Sequence, residues 1–166
     1  MSDASSIRKA SSLESQSQNG APFYKSAIRF CNNQAYVNTG SQWVGLGNTV
    51  VNTTFPVVAE DVSQNIFVAD KKYNILSVSE VHSTAGSDNG TVSVDVQACN
   101  STQAPGSGTT VLASVFNLKS TANTVVNKTL ATTLPTLAVG DRLAVNFTGT
   151  PTSLAGVVIT VVLQPV

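Results

Sequence analysis

The chain has 166 residues, enough for one domain of ordinary size with a tail. Nine Lys and Arg residues balance nine Asp and Glu residues, and only 11% of the chain is charged, against about 25% in an average soluble domain. The chain has no excess of positive charge, so it lacks the electrostatic attraction with which proteins bind nucleic acid. With a single His and few acidic residues, it has few side chains for acid–base catalysis or metal ligation. The abundance of Val (24 residues) and Thr (19 residues) favours β-sheet over helix.

Residues 1–20 form a serine-rich polar tract in which Ile7 and Leu13 are the large apolar residues. Such a segment buries too little surface to offset its own ordering entropy. We therefore expect a flexible N-terminal arm that orders on a partner, with Ile7 and Leu13 seated in pockets. No apolar stretch follows the two basic residues of this tract, so the sequence predicts no secretory signal peptide and synthesis in the cytoplasm.

Residues 21–60 are rich in aromatic side chains, which anchor interfaces because they bury a large area with few rotatable bonds. Six of the ten aromatic residues lie there: Phe23, Tyr24, Phe30, Tyr36, Trp43 and Phe55. One interpretation is an attachment region with short strands that contacts a partner. The other is that these residues form the first strands of the domain that follows. A sugar platform made by Trp43 and Tyr36 is a lesser alternative.

Residues 61–166 show the alternation and punctuation of β-strands. Apolar and polar residues alternate over Thr91–Ala98 and Arg142–Phe147, and turn clusters separate the apolar segments. Further strands are expected at Asn65–Ala69, Tyr73–Val81, Val111–Leu118 and Val125–Thr133, although the Val111 segment also fits helical spacing. The sequence therefore predicts an all-β fold, an antiparallel and jelly-roll-like β-sandwich over 61–166 with an extended N-terminal arm.

The segment Val157–Leu163 is apolar on both faces of the predicted strand. One face can fill the core, and Val158 and Val162 on the other face are predicted to contact a second copy of the chain. The chain contains no run of the roughly 18 apolar residues that a membrane span requires, so no membrane association is expected.

His82 is the one residue that suggests catalysis, because Ser83, Thr84 and Asp88 lie near it in the sequence. No nucleophile elbow of the Gly-x-Ser-x-Gly type accompanies it, so we interpret His82 as a structural histidine hydrogen-bonded at the end of a strand. We expect no enzymatic activity.

The remaining motifs also have structural interpretations. The Asp88-Asn89-Gly90 turn lacks the alternating acids of a calcium loop. The Gly-rich segment 104–108 lacks the Lys-Ser/Thr that completes a phosphate-binding loop. Cys31 and Cys99 have no zinc-ligand spacing and are expected to be free thiols. We therefore predict no metal and no cofactor.

Several segments resemble structural proteins of tailed-bacteriophage virions. The resemblance lies in Val78–Val92, Ala104–Thr109, Phe116–Thr124 and Gly140–Val157, and it extends over about residues 62–166. In capsid decoration and head-fibre proteins this module looks like a β-sandwich on the virion exterior, usually oligomeric. The resemblance implies a structural virion protein and carries no catalytic residue.

The sequence and the resemblance together predict a non-enzymatic phage capsid decoration (cement) protein that binds and stabilises the outer surface of the head shell. The expected partners are the major capsid protein and further copies of the chain, as a trimer. The predicted capsid-binding residues are Ile7, Leu13, Phe23, Tyr24, Phe30, Tyr36 and Trp43. The alternatives are a receptor- or glycan-binding fibre or tail-associated protein, which would have repeats or a shaft-binding segment upstream, and a small hydrolase.

Overall fold

The fold of the chain is built from antiparallel β-strands. The computed structural model describes residues 28–31, 34–38, 43–45, 47–57, 63–100 and 102–166, and within them it contains twelve strands and no helix. The chain divides between Gly47 and Asn48 into two compact units. The prediction of an all-β, antiparallel protein is therefore confirmed.

The first unit contains a small three-stranded sheet of antiparallel strands in chain order. Its strands are β1 (Ile28–Cys31), β2 (Gln34–Asn38) and β3 (Trp43–Gly45). Arg29 and Tyr36 are direct partners in the β1–β2 register, and the Arg29 guanidinium lies 5.4 Å from the centre of the Tyr36 ring. This distance permits a cation–π contact that ties the two strands together.

The second unit contains two larger antiparallel sheets. The first, in the order β10-β6-β12-β4, comprises β4 (Thr49–Val57), β6 (Tyr73–Val81), β10 (Val126–Lys128) and β12 (Ala155–Pro165). The second, in the order β5-β11-β7-β8, comprises β5 (Ser63–Val68), β7 (Ser93–Cys99), β8 (Thr109–Thr110) and β11 (Arg142–Thr148), while β9 (Phe116–Asn117) also pairs with β7.

One hydrophobic core takes side chains from both of these sheets. Val157, Ile159 and Val161 of β12 are fully buried, and the residues between them are only half-buried. Two edge-to-face aromatic pairs join the sheets: Phe55 with Phe147, with ring centres 5.1 Å apart, and Phe67 with Tyr73, at 5.6 Å. Such pairs add about 0.5–1.5 kcal/mol beyond the area that they bury.

The strand predictions differ from the structure in informative ways. The strand Tyr73–Val81 has the predicted bounds, and the strands at Asn65–Ala69, Thr91–Ala98, Arg142–Phe147 and Val157–Leu163 exist with ends shifted by at most two residues. In contrast, the predicted strands Val111–Leu118 and Val125–Thr133 are wrong in extent. Only β9 and β10 form there, and the two predicted strands are partly bonded to each other. Ala131 N–H donates to the Val111 carbonyl and Ala113 N–H to the Thr129 carbonyl.

The boundary between the two units differs from the predicted boundary at residue 60. Strand β4 lies before that residue, yet it pairs with β12 along most of its length, so it belongs to the second unit. Thus part of the aromatic region, including the buried Phe55, forms the first strand of the larger domain. Strands β1–β3 lie in the first unit, and their role in attachment stays a prediction.

Gly149 provides a sharp test of the packing in the second unit. Its φ is +93°, and a Cβ added there would lie 1.7 Å from the Thr91 carbonyl oxygen. Gly140 has a φ of +87° but open space around it. We therefore expect Gly140→Ala to cost about 1–2 kcal/mol through backbone strain alone, and Gly149→Ala to cost clearly more. Urea unfolding of both variants measures the difference, and equal losses would contradict the close approach at Thr91.

Candidate functional site

The face of the four-stranded sheet that points away from the core is a candidate interaction surface of the second unit. Three rows of paired residues cross this outer face: Thr54–Val158–Val81, Asn52–Thr160–Ser79–Asn127 and Val50–Val162–Ser77. None of these ten residues is charged. A surface of this composition costs less to desolvate than a charged one, because no ion has to lose its hydration shell.

The predicted interface residues Val158 and Val162 lie in the middle of the outer face. Strand β12 runs between β4 and β6, and both valines are half-buried there with their side chains opposite the core. The prediction that this strand has one face in the core and the other face outside is confirmed. Their contact with a second copy stays a prediction.

His82 and Glu80 form a buried pair at the end of β6. The exposed fraction is 0% for His82 and 1% for Glu80. His82 Nδ1 lies 2.8 Å from Glu80 Oε1, and His82 Nε2 lies 3.1 Å from the Ser120 carbonyl oxygen. The Asn123 N–H donates to the His82 carbonyl at 2.7 Å. The pair therefore fastens the loop around residues 120–123 to β6.

The contacts of the imidazole ring determine how many protons the pair holds. The Ser120 carbonyl only accepts, so Nε2 carries a hydrogen and donates it. The 2.8 Å contact between Nδ1 and Glu80 Oε1 requires one further proton between these two atoms. Whether that proton resides on the ring or on the carboxyl, the pair as a unit is electrically neutral. Neutrality explains how both groups are accommodated in the core.

The pair differs from a catalytic triad in two respects. The ring partners of His82 are Glu80 and the Ser120 backbone, whereas Ser83, Thr84 and Asp88 had been considered from the sequence. The Ser120 hydroxyl is buried and has no hydrogen-bond partner among the described residues. The ring thus contacts a carbonyl where a nucleophilic hydroxyl would be needed, and it is closed to solvent. His82 is hydrogen-bonded at the end of a strand, as predicted, and its purely structural role stays a prediction.

Sequence reasoning missed Glu80, although a signal was present. Val78, Glu80 and His82 are spaced by two, so they point to the same side of a strand. Two titratable residues that follow a core valine at this spacing indicate a buried pair. Burial raises the pKa of the Glu80 carboxyl above its ordinary value, and the hydrogen bond with His82 opposes that rise.

A second polar network lies on β7, where the alternation had predicted a solvent-facing side. Asp95 and Gln97 are buried. Thr110 Oγ1 donates to Asp95 Oδ1 at 2.6 Å, Gln97 Nε2 donates to Asp95 Oδ2 at 3.0 Å, and Gly106 N–H donates to Gln97 Oε1 at 3.1 Å. The loop that ends in β8 folds back over this side of β7 and satisfies its polar groups. The network orders the loop, and it offers no unpaired group to a ligand.

Arg142 and Cys99 lie beside the start of the same loop. The Arg142 guanidinium donates to the carbonyls of Asn100 and Gln103 and to the Asn65 side chain. Cys99 is a buried free thiol, and burial raises its pKa while the charge of Arg142 opposes the rise. A thiol in this state is a poor nucleophile.

The turn at residues 88–90 already contacts a cation of the chain itself. The Lys119 ammonium donates to the carbonyls of Asp88 and Gly90. The Asp88 side chain accepts the Asn89 N–H at 2.9 Å. These oxygens therefore belong to the segment that connects β6 in one sheet to β7 in the other, so the expected hairpin turn is not present, and two of them bind the Lys119 ammonium. No cluster of three or more potential metal ligands occurs in the part of the chain that the structure describes.

The predicted capsid-binding residues are only partly covered by the structure. Ile7, Leu13, Phe23 and Tyr24 lie outside the described residues. Phe30 lies on β1 and Trp43 on β3, and Tyr36 is half-buried on β2. The sheet β1-β2-β3 thus brings three of the predicted residues into one small unit.

Comparisons with known proteins identify no relative, since no family model, curated protein or solved structure matches the chain. A search of the described residues also finds no helix of the length and hydropathy needed to cross a bilayer.

We expect the His82–Glu80 pair to contribute strongly to stability. His82→Ala leaves the Glu80 carboxyl and the Ser120 carbonyl without their partner, so the free energy of unfolding should fall by about 3–5 kcal/mol. Glu80→Gln keeps an amide that can donate to Nδ1 of a neutral ring, and it should cost only about 1 kcal/mol. Urea denaturation measures both losses. A loss below about 1 kcal/mol for His82→Ala would contradict the burial of the pair.

The raised pKa of Glu80 predicts a specific pH dependence. The native protein binds this proton more tightly than the unfolded chain, so the associated stabilisation is complete below the ordinary glutamate pKa of 4.5 and is lost as the pH rises through the native value. In Glu80→Gln the stability curve above pH 4.5 should therefore be flatter than in the wild type.

Asp70→Asn is the control with the opposite sign. The hydrogen bond from the Tyr73 hydroxyl lowers the pKa of Asp70, so its stabilisation is present above the ordinary value and is lost on acidification. If the free energy of unfolding depends on pH in the same way in Glu80→Gln and in the wild type, then Glu80 does not titrate as described.

Proposed function

We propose that the protein is a non-enzymatic phage capsid decoration (cement) protein that binds the outer surface of the head shell and stabilises it. The observation that carries the proposal is the uncharged outer face of the four-stranded sheet, a surface suited to contact with other proteins. The sequence resemblance to tailed-phage virion proteins supports the capsid as the partner.

The proposed architecture is a jelly-roll-like β-sandwich with an extended N-terminal arm. The shared core of the two sheets and the aromatic pairs Phe55–Phe147 and Phe67–Tyr73 support a sandwich. The serine-rich composition of residues 1–20 supports an arm. In this arrangement the sandwich is the rigid exposed module, and residues 1–47 before it supply the attachment.

The buried titratable groups that the structure describes in the second unit support a structural role. His82 is fully buried and Cys99 is a buried thiol of raised pKa. The carboxylate of Asp95 is satisfied by Thr110 and Gln97. These described groups stabilise strands and loops, which suits a protein that reinforces a shell.

The proposed oligomer is a trimer of this chain in contact with the major capsid protein on the virion exterior. Val158 and Val162 support self-association because they lie on an uncharged face and leave no ion to desolvate. The zero net charge of the chain removes long-range repulsion between copies. The number three comes from the resemblance and from capsid symmetry.

Deletion of residues 1–20 tests the attachment role of the arm. We expect the truncated protein to keep its far-ultraviolet circular dichroism spectrum and its oligomeric mass, while its affinity for shells that lack this protein falls by about tenfold or more, equivalent to 1.4 kcal/mol or more. The physical reason is that the arm seats Ile7 and Leu13 on the partner.

A full-length variant with Ile7→Ser and Leu13→Ser separates the loss of the apolar anchors from the loss of chain length. It should weaken binding as the deletion does, because the apolar anchors are removed while chain length is kept. Unchanged saturation of shells by both variants would remove the arm from the proposal. Binding of the intact protein to host-surface glycans, without binding to shells, would favour the fibre alternative.

A further inference from the structure

Strand β4 is a long edge strand without the usual protection. It lies at the end of the sheet order β10-β6-β12-β4, and no described strand pairs with its other edge. Natural edge strands are protected by charged side chains, by bulges or by being short. Thr49–Val57 has nine residues and no charge, and its register with β12 shows no bulge between Val157 and Leu163.

We propose that β4 pairs antiparallel with β4 of a second copy of this chain, about a two-fold axis at Asn52. This contact goes beyond the proposed capsid function and does not depend on it; together with the proposed trimer it would join two trimers, which gives an even multiple of the chain mass. It would join two four-stranded sheets edge to edge into one sheet of eight strands, with the two outer faces side by side.

The charge pattern favours a second copy over an unrelated partner. A charged segment added to β4 would place its ions beside Val50, Asn52 and Thr54, which offer no opposite charge. Ions that approach such a surface lose hydration without compensation. A second β4 brings only Thr, Val, Asn and Phe over Thr49–Phe55, so it is complementary to the first in charge.

The position of the axis follows from the sequence of the strand. Pro56 has no backbone N–H to donate, so ladder pairing is expected to end before it. The remaining segment, Thr49–Phe55, has Asn52 at its centre. An antiparallel pair centred there sets Asn52 opposite Asn52 and Val50 opposite Thr54, and it keeps the outward side chains of both copies on one face.

The inward side chains also match in this register. Val51, which is buried at the core, would lie opposite Thr53 of the second copy. Pairs of β-branched residues on one face are favourable cross-strand neighbours. The two-fold contact would therefore cover the half-exposed Thr53 with a side chain that fits it.

Lysine substitutions at the two ends of one cross-strand row test the contact. Asn52 and Asn127 are both exposed, lie in the same row of the outer face and belong to opposite edge strands. Asn52→Lys would oppose two like charges at the axis, whereas Asn127→Lys adds the same charge at the far edge. Light scattering at micromolar concentration should give an even multiple of 17.2 kDa for the wild type and for Asn127→Lys, and half of that mass for Asn52→Lys.

A mixing experiment tests the register. Asn52→Asp alone should also halve the mass, because two like charges again meet at the axis. An equimolar mixture of Asn52→Lys and Asn52→Asp should restore the wild-type mass, since Lys then faces Asp. Circular dichroism confirms that each variant is folded before mixing.

Three outcomes would overturn the proposal. An odd multiple of the chain mass for the wild type excludes a two-fold contact of all copies. Equal masses for Asn52→Lys and Asn127→Lys exclude the β4 edge as its site. Failure of the mixture to recover the wild-type mass excludes pairing centred at Asn52. None of these results bears on shell binding, which the arm deletion measures separately.

Discussion

Inward-facing residues of β12 from Val157 to Leu163 are buried, and this alternation decides which way the whole four-stranded sheet faces. Residues paired across an antiparallel ladder share a face. The register with β12 therefore determines which side chains of β4 and β6 point into the core. A slip of one residue would exchange Ile159 for Thr160 in the core. The core cluster and the uncharged outer face are thus two consequences of one register.

The core accommodates two groups of polar side chains because the members of each group hydrogen-bond mainly to one another. Glu80 and His82 share a proton and fasten a loop through Ser120, while Asp95, Gln97 and Thr110 satisfy one another beneath the loop that ends in β8. In both cases strand side chains fix the path of a segment that has little regular structure of its own. Buried polar residues here order loops, and the apolar residues supply most of the stabilisation of the sheets.

The scarcity of charge has a different effect on the surface. A sheet face built from Val, Thr, Ser and Asn has enough polar groups to be hydrated when it is exposed. A partner can nevertheless cover it without removing ions from water. The edge strand β4 combines such a face with an edge to which no described strand is paired. These two properties make the four-stranded sheet, more than any of the described titratable residues, the part of the second unit with the clearest means of interaction.

The sequence by itself determined the fold class and the strands with clear periodicity. Tyr73–Val81 and the two faces of β12 were predictable, because local alternation reports which side of a strand is buried. It also indicated that Val158 and Val162 point away from the core. Only the tertiary structure decided the burial of Asp95 and Gln97 and the membership of β4, because both depend on segments distant in sequence folding onto a strand. The side-chain partner of His82, Glu80, lies only two residues earlier in the chain. The second contact of the ring comes from the Ser120 carbonyl, 38 residues away in sequence, and only the tertiary structure shows it.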